Sequence, residues 1–478
     1  MNRKRKFCGF ALLLTLVVSG ISCVNQPVGN SNITASSTTA SPSPSINVSP
    51  TPATASDAPV VSMTLPVIDA FFASDETFSS ELKTKLSLTD DQIARLRTVA
   101  REETSRLRET ETGDHTGTTA AARELAAERV KEIVGAEKGS QLAAFVNERW
   151  RGTGSADEKD PKASASPGAD SLATTPNAVP TDSRIVVNTP AYRMDVFESG
   201  RLVKSYKVGI GYPEFPLPTG LRKAKAIIFN PTWTPPDEPW VESPTSKVKV
   251  GEKVEAGSKL NPLGLLKIPI GSPSLIHGGK SPAKLGAFAS HGCVGLTDAL
   301  AQDFAKRLAE LAGQKLSDAE IANYRTNRSE TKQITLKEAV PVELRYETIV
   351  AEDGKLHIYR DVYDRDTNTE ENLRAVLAAN HVTLEDLTEE ERSQVQDALN
   401  EMSRDARGKL DQNKSGSTTT GSPNPSPTAS PKVTANKSGK VTRNFKGKKE
   451  IIIEVAALKG KGYPAMASAE TGTRKAKT

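Results

Sequence analysis

Two histidines and a cysteine stand in a tight frame near the middle of the chain: Ile276-His277-Gly278, then Ser290-His291-Gly292-Cys293-Val294-Gly295-Leu296. The chain has five His and three Cys in all, so their clustering in one glycine-rich stretch is informative. A free thiol has a pKa near 8.5, and only a few per cent is thiolate at neutral pH. A histidine in contact can take the proton, and as imidazolium it favours the thiolate. A Cys/His pair on glycine-rich turns is how nucleophilic acyl transfer is commonly built.

Other readings of the same residues are open. A lone cysteine is ordinarily a buried, inert thiol. His277, His291 and Cys293 also offer three zinc ligands with an open fourth position. Against zinc, the His-x-Cys spacing is cramped, and no carboxylate or second cysteine is near in sequence. The balance favours no metal and no cofactor. Ser290 reads as a loop hydrogen-bonding residue beside the stronger nucleophile, and Trp233 as loop packing. His115, His357 and His381 read as structural or solvent-facing.

The elements that must position this frame are embedded in a diluted chain. Its 478 residues have room for two or three domains, but the apolar fraction of 36% and aromatic fraction of 5% are low for one globule. A net charge of +5 over this length does not argue for nucleic acid. Arg3-Lys4-Arg5-Lys6 followed by the apolar run Phe10 to Val18 reads as an export signal over residues 1–22. That run is shorter than the about 20 residues of a membrane span. Cys23 then stands where a bacterial lipoprotein carries its lipid, which implies a membrane anchor and a cell-envelope or periplasmic location. With Cys8 in the signal and Cys23 lipidated, Cys293 has no disulfide partner.

Residues 23–64 are rich in Ser, Thr and Pro and read as a flexible tether, with further linkers at 152–181 and from 412. Residues 65–151 read as an all-α region. Thr89-Asp90-Asp91-Gln92 is a capping-box pattern; Ile93, Leu96, Val99, Ala100 and Leu107 follow helical spacing, and Gly135 marks a stop. The segment beginning Leu88-Thr89 weakly resembles periplasmic helical proteins with Leu-Thr-x-x-Gln repeats, and this region is a candidate docking module for a protein partner. Residues 182–366 read as mostly β. Ile185-Val186-Val187, Tyr192 to Val196, Leu202 to Val208 and Ala226 to Phe229 are strands, with a hairpin at Glu198-Ser199-Gly200-Arg201. A helix runs from Leu296 to Leu311, with Thr297 as its cap. Residues 367–411 read as a helical appendage, and 412–478 as low-complexity linker and basic tail, whose Ile451-Ile452-Ile453 run offers an added strand or a contact to anionic wall polymer or lipid as alternatives to a solvated tail. The class is α+β, multidomain.

From about Arg184 to Tyr346 the pattern resembles the L,D-transpeptidase catalytic domain of YkuD type. The resemblance rests on ordered elements: the opening hairpin, Pro218-Thr219-Gly220, Phe229-Asn230-Pro231-Thr232-Trp233, Ile276-His277-Gly278, Leu285-Gly286 and Ser290-His291-Gly292-Cys293. It implies that Cys293 is the nucleophile, His277 the proton acceptor and donor, and His291 a residue that orients the site. The backbone N–H groups of Gly292 and Cys293 would hold the oxyanion, close to a helix start, with Ser290 and Gly278 in support. The implied substrates are peptidoglycan stem peptides, joined as 3→3 cross-links through a thioester. Many members have Arg two residues after the Cys, where this chain has Gly295; Lys280, Lys284 and Arg222 are candidates for the missing cation. Hydrolysis of stems at the same site, as a carboxypeptidase or endopeptidase, and a non-catalytic wall-binding module are the alternative functions.

Overall fold

A capping box opens the best-marked helix for a simple reason: the first backbone N–H groups of a helix lack intrahelical partners. In the computed structural model the Thr89 N–H donates to Gln92 Oε1 (3.1 Å) and the Gln92 N–H to Thr89 Oγ1 (3.2 Å), as the pattern requires. Residues 63–106, 118–150, 175–235, 241, 247–405, 408–409 and 446–466 are described. The leader, Cys23, the tether up to residue 62, Leu107, His115 and most of the linkers lie outside the described residues.

Five helices form the N-terminal region: α1 (Leu65–Ser74), α2 (Phe78–Lys85), α3 (Asp90–Arg106), α4 (Thr119–Val134) and α5 (Ala136–Trp150). Their apolar faces meet in a separate core of Phe71, Phe78, Leu82, Leu96, Val130 and Trp150. Gly135, at φ +85°, ends α4 and lets α5 start at once. Arg149 on α5 reaches Asp75 (2.6 Å) and Glu81 (3.0 Å), pinning α5 to the α1–α2 turn and α2.

The mostly β region is built on β1 (Arg184–Asn188), β2 (Arg193–Glu198), β3 (Arg201–Lys207), β4 (Ile210–Gly211), β5 (Gly220–Phe229), β6 (Leu266–Pro269), β7 (Leu275–His277), β8 (Phe288–Ser290), β9 (Val294–Gly295), α6 (Asp298–Leu311), α7 (Asp318–Thr326) and β10 (Lys332–Arg345). The large sheet has the order β3-β2-β1-β10-β5-β6-β7-β9, and β4 pairs with β8 in a small second sheet. Ser199 (φ +48°) and Gly200 (φ +81°) make the tight hairpin between β2 and β3. Helix α6 starts at its expected cap, with Thr297 accepting from the Leu300 N–H. It buries Ala301, Phe304, Ala305 and Leu308 against the sheet core. The Ala226–Phe229 strand proves to be the end of the longer β5.

After β10 the chain builds a further layer from β11 (Ile349–Glu352), β12 (Lys355–Tyr359), α8 (Glu370–Ala379), α9 (Glu389–Met402) and β13 (Glu450–Glu454). The helices fall within 367–411, as expected. Two features depart from the sequence reading. Strand β13 belongs to the stretch read as linker and basic tail, yet it pairs antiparallel with β12, Ile453 opposite Leu356. The linker up to 181 is also docked at its end: Asn177 is buried, donating to the Ile349 carbonyl (3.1 Å) and accepting from the Ala351 N–H (2.9 Å). The Ile451-Ile452-Ile453 run offers a strand as one reading of the tail, and its pairing with β12 selects that reading over a solvated tail. Ile453 is 4% exposed and Ile452 51%, the alternation of a one-sided strand. Ile453→Ala is expected to cost about 2–4 kcal/mol of unfolding free energy. An unchanged denaturation midpoint would show that β13 does not hold this layer together.

Candidate active site

Strand register brings the chemistry together. Strands β7 and β9 run parallel, with Ile276 opposite Val294 and His277 opposite Gly295. Ile276 and Val294 both point into the sheet core. Because side chains alternate along a strand, His277, Gly295 and Cys293, just before β9, share the other face. Strand β6 adds Lys267 directly across from His277. His277 is 3% exposed, whereas Cys293 is half-buried and reduced. A sheltered imidazole and a more exposed thiol are the division that a base and a nucleophile require.

The His277 tautomer follows from its partner. Nδ1 lies 2.7 Å from the Gly278 carbonyl oxygen; a carbonyl only accepts, so Nδ1 carries the hydrogen and Nε2 keeps its lone pair. Burial pushes this imidazole down to about 3, the Lys280 charge acts in the same direction, and the Gly278 carbonyl opposes them. The ring is therefore neutral at neutral pH. Burial disfavours the cationic ring because the cation loses its hydration.

Cys293 sits on a turn closed by Ser290. Its hydroxyl donates to the Cys293 carbonyl (2.5 Å) and accepts from the Cys293 N–H (3.0 Å). One of the two amides expected to hold an oxyanion is thus engaged by Ser290 in this conformation. Gly292, at φ +91°, makes the turn possible, and the buried Ser274 hydroxyl donates to its carbonyl (2.9 Å). Removing the Ser290 hydroxyl breaks two hydrogen bonds at Cys293, worth about 0.5–1.5 kcal/mol each. Ser290→Ala is expected to slow alkylation or acylation of Cys293 about tenfold, read by mass spectrometry against time. Equal rates would mean that the turn holds its shape without Ser290.

His291 has a different setting. Its ring meets Tyr212 (5.2 Å) and Phe215 (4.6 Å) edge to face, so it anchors the turn to the loop 211–217. The Tyr212 N–H donates to the Ser290 carbonyl (2.9 Å), closing the same contact through the backbone. From behind, that loop is gripped by the helical region: the Thr64 hydroxyl donates to the Glu214 carbonyl (3.0 Å) and the Thr119 hydroxyl to the Pro213 carbonyl (2.6 Å). Tyr363 and Arg365 add hydrogen bonds to the Gly211 (2.9 Å) and Leu217 (3.3 Å) carbonyls. Among the described residues, no three His, Cys, Asp or Glu side chains are grouped to hold a metal ion.

Sequence reasoning missed several supports. Asp298 Oδ1 accepts from the N–H groups of Leu265 and Gly279, both at 2.9 Å, tying the β6 and β7 ends to the start of α6. Gly278 has to be glycine there, since a Cβ would lie 2.4 Å from Asp298 Oδ1. An Asp just after a Thr cap is a local signal for a helix start, but nothing in it announces the loops it ties. Ser274, Tyr212 and Phe215 carry no sequence signal of their role.

Residues 182–328 match the family model of YkuD, the L,D-transpeptidase catalytic domain. No curated protein matches the chain. Solved structures with a similar region include an L,D-transpeptidase from Mycobacterium smegmatis, at 16% identity and a TM-score of 0.21, covering 34% of this chain and 58% of that one. An L,D-transpeptidase mutant from Enterococcus faecium shows 13% identity and a TM-score of 0.22, covering 34% and 50%. L,D-transpeptidase 3 from Mycobacterium tuberculosis shows 14% identity and a TM-score of 0.20, covering 34% and 60%. The chain thus spans 50–60% of the length of these solved chains.

Proposed function

We propose that this chain, which carries an L,D-transpeptidase catalytic domain at residues 182–328, is an exported peptidoglycan L,D-transpeptidase that works through a cysteine thioester. The observation that carries the reading is the β7–β9 register, with the half-buried thiol of Cys293 and the buried imidazole of His277 on one face. The Cys293 thiol gives its proton to His277 Nε2 as its sulfur bonds to the carbonyl carbon of the third stem residue. The tetrahedral oxyanion is held by turn amides, with the Gly292 N–H available while Ser290 engages that of Cys293. The C–N bond to the fourth, D-configured residue then breaks, and His277 returns the proton to the leaving amine. An amine on the third residue of a second stem attacks the thioester, loses a proton and releases the thiol, leaving a 3→3 cross-link. Because His277 rests neutral, its proton uptake is uphill and is coupled to attack rather than completed before it.

Export and a lipid on Cys23 complete the proposal; they rest on the basic, then apolar N-terminal sequence and on the position of that cysteine. Incubating the purified protein with disaccharide-tetrapeptide muropeptides and weighing the products tests the reaction. Dimers lacking one terminal residue are expected. Trimmed tripeptide monomers alone would make water the acceptor and the protein a hydrolase, and no product at all would leave a wall-binding module.

A further inference from the structure

Residues 211–217 are buried without a break and include Pro213 and Pro216, neither of which has an N–H to give a strand ladder. Buried carbonyls need donors all the same, and two of those donors come from the helical region. The Thr119 hydroxyl donates to the Pro213 carbonyl (2.6 Å) and the Thr64 hydroxyl to the Glu214 carbonyl (3.0 Å). Both threonines are fully buried and stand at helix starts: Thr64 caps α1, and Thr119 is the first residue of α4. The positive end of a helix dipole therefore lies beside each carbonyl oxygen. The same loop carries the Cys293 turn. The Tyr212 N–H donates to the Ser290 carbonyl, the Tyr212 and Phe215 rings meet His291, and a Cβ on Gly211 would lie 3.2 Å from Gly292 Cα. The loop thus touches each of the three residues before Cys293.

We infer that the helical region is part of this active site: Thr119 and Thr64 are positioning residues that fix loop 211–217 and, through it, the Cys293 turn. This rests on the acyl-transfer reading above and adds to it the residues that aim the sulfur. Every link is a direct contact, from hydroxyl to loop carbonyl and from loop to Ser290, His291 and Gly292. The bonds from Tyr363 and Arg365 end at Gly211 and Leu217, the two edges of the loop; the threonines hold its middle. Aim matters because a misplacement of about 1 Å at a reacting atom costs roughly 10²-fold in rate. The two threonines differ in what else they do. Thr64 also accepts from the Val67 N–H (3.4 Å), so it serves its own helix. Helix α4 is capped instead by Thr118, which accepts from the Ala121 N–H (3.2 Å). The Thr119 hydroxyl can therefore be removed without uncapping α4.

The test uses the full chain and two measurements. Hydrogen exchange at the Tyr212 and Cys293 amides needs no substrate and reads the loop and the turn. Thr119→Val, which keeps the side chain's shape and loses the hydroxyl, is expected to speed both by about tenfold, and Thr64→Val to act in the same direction. Thr119→Ser, which keeps the hydroxyl, is expected to exchange as slowly as the wild type. Thr104→Val is the control: it removes another buried hydroxyl of the helical region, one that donates to the Ala100 carbonyl within α3 (3.0 Å), and both amides are expected to stay slow. The second measurement is Cys293 acylation by a carbapenem. Its saturating rate is expected to fall about tenfold in Thr119→Val, with the half-saturating concentration unchanged, and to recover in Thr119→Ser. Unchanged exchange in Thr119→Val, an equal rise in Thr104→Val, or faster exchange without slower acylation would each overturn the assignment. A wild type that forms no adduct, while exchange still depends on Thr119, would instead overturn the reaction and leave the threonines their hold on the turn.

Discussion

Cys293→Ala is expected to abolish covalent labelling of the protein by a carbapenem and to lower muropeptide turnover on the order of 10⁴-fold or more. The reason is chemical: without the sulfur no thioester can form, and nothing else on the β7–β9 face is a comparable nucleophile. Ser290, the nearest hydroxyl in the turn, is bonded to the Cys293 carbonyl and amide. The substitution removes one sulfur from a half-buried position, so stability is expected to change by no more than about 1 kcal/mol. Intact-protein mass before and after the β-lactam gives the answer. An adduct that persists in the alanine variant would place the chemistry on another residue.

His277→Gln is expected to slow Cys293 acylation by about 10²–10⁴-fold, while the amide side chain can still donate to the Gly278 carbonyl. It should also change how stability depends on pH. The folded imidazole is pushed down to about 3, mainly by burial, against about 6.5 when unfolded. Between those values the unfolded chain binds the proton and the folded chain does not. Stability from this group is therefore full above pH 6.5 and is lost as pH falls toward 3, at up to 1.36 kcal/mol per pH unit. Denaturant midpoints measured from pH 7 to pH 4 should fall more steeply for the wild type than for His277→Gln. Parallel curves would mean that the imidazole is hydrated and charged in the folded protein, contrary to its burial.

Much of the architecture was legible in the residues because the signals are local. Thr89 and Gln92 cap a helix three residues apart, Thr297 starts α6, and Ser199-Gly200 closes a hairpin, each using groups within reach of their own backbone. The neighbouring of the His277 and Cys293 strands follows the order of the motifs, with His277 opposite Gly295 in the β7–β9 pair. Helical, β and helical segments also came in the order that the structure bears out.

What the residues could not state is whatever depends on position in three dimensions. How readily His277 takes a proton depends on how much water the fold removes around it, and its burial lowers that readiness. The Cys293 amide is engaged by a hydroxyl three residues back, a competition visible only once the turn closes. Thr64 and Thr119 reach the 213–214 carbonyls across 150 and 94 residues of sequence, and Lys280 fills the space over Gly295 only because β7 and β9 pair. Composition and periodicity describe each segment's own preference. Charge state, donor engagement and shared volume are properties of neighbours, and the fold chooses the neighbours.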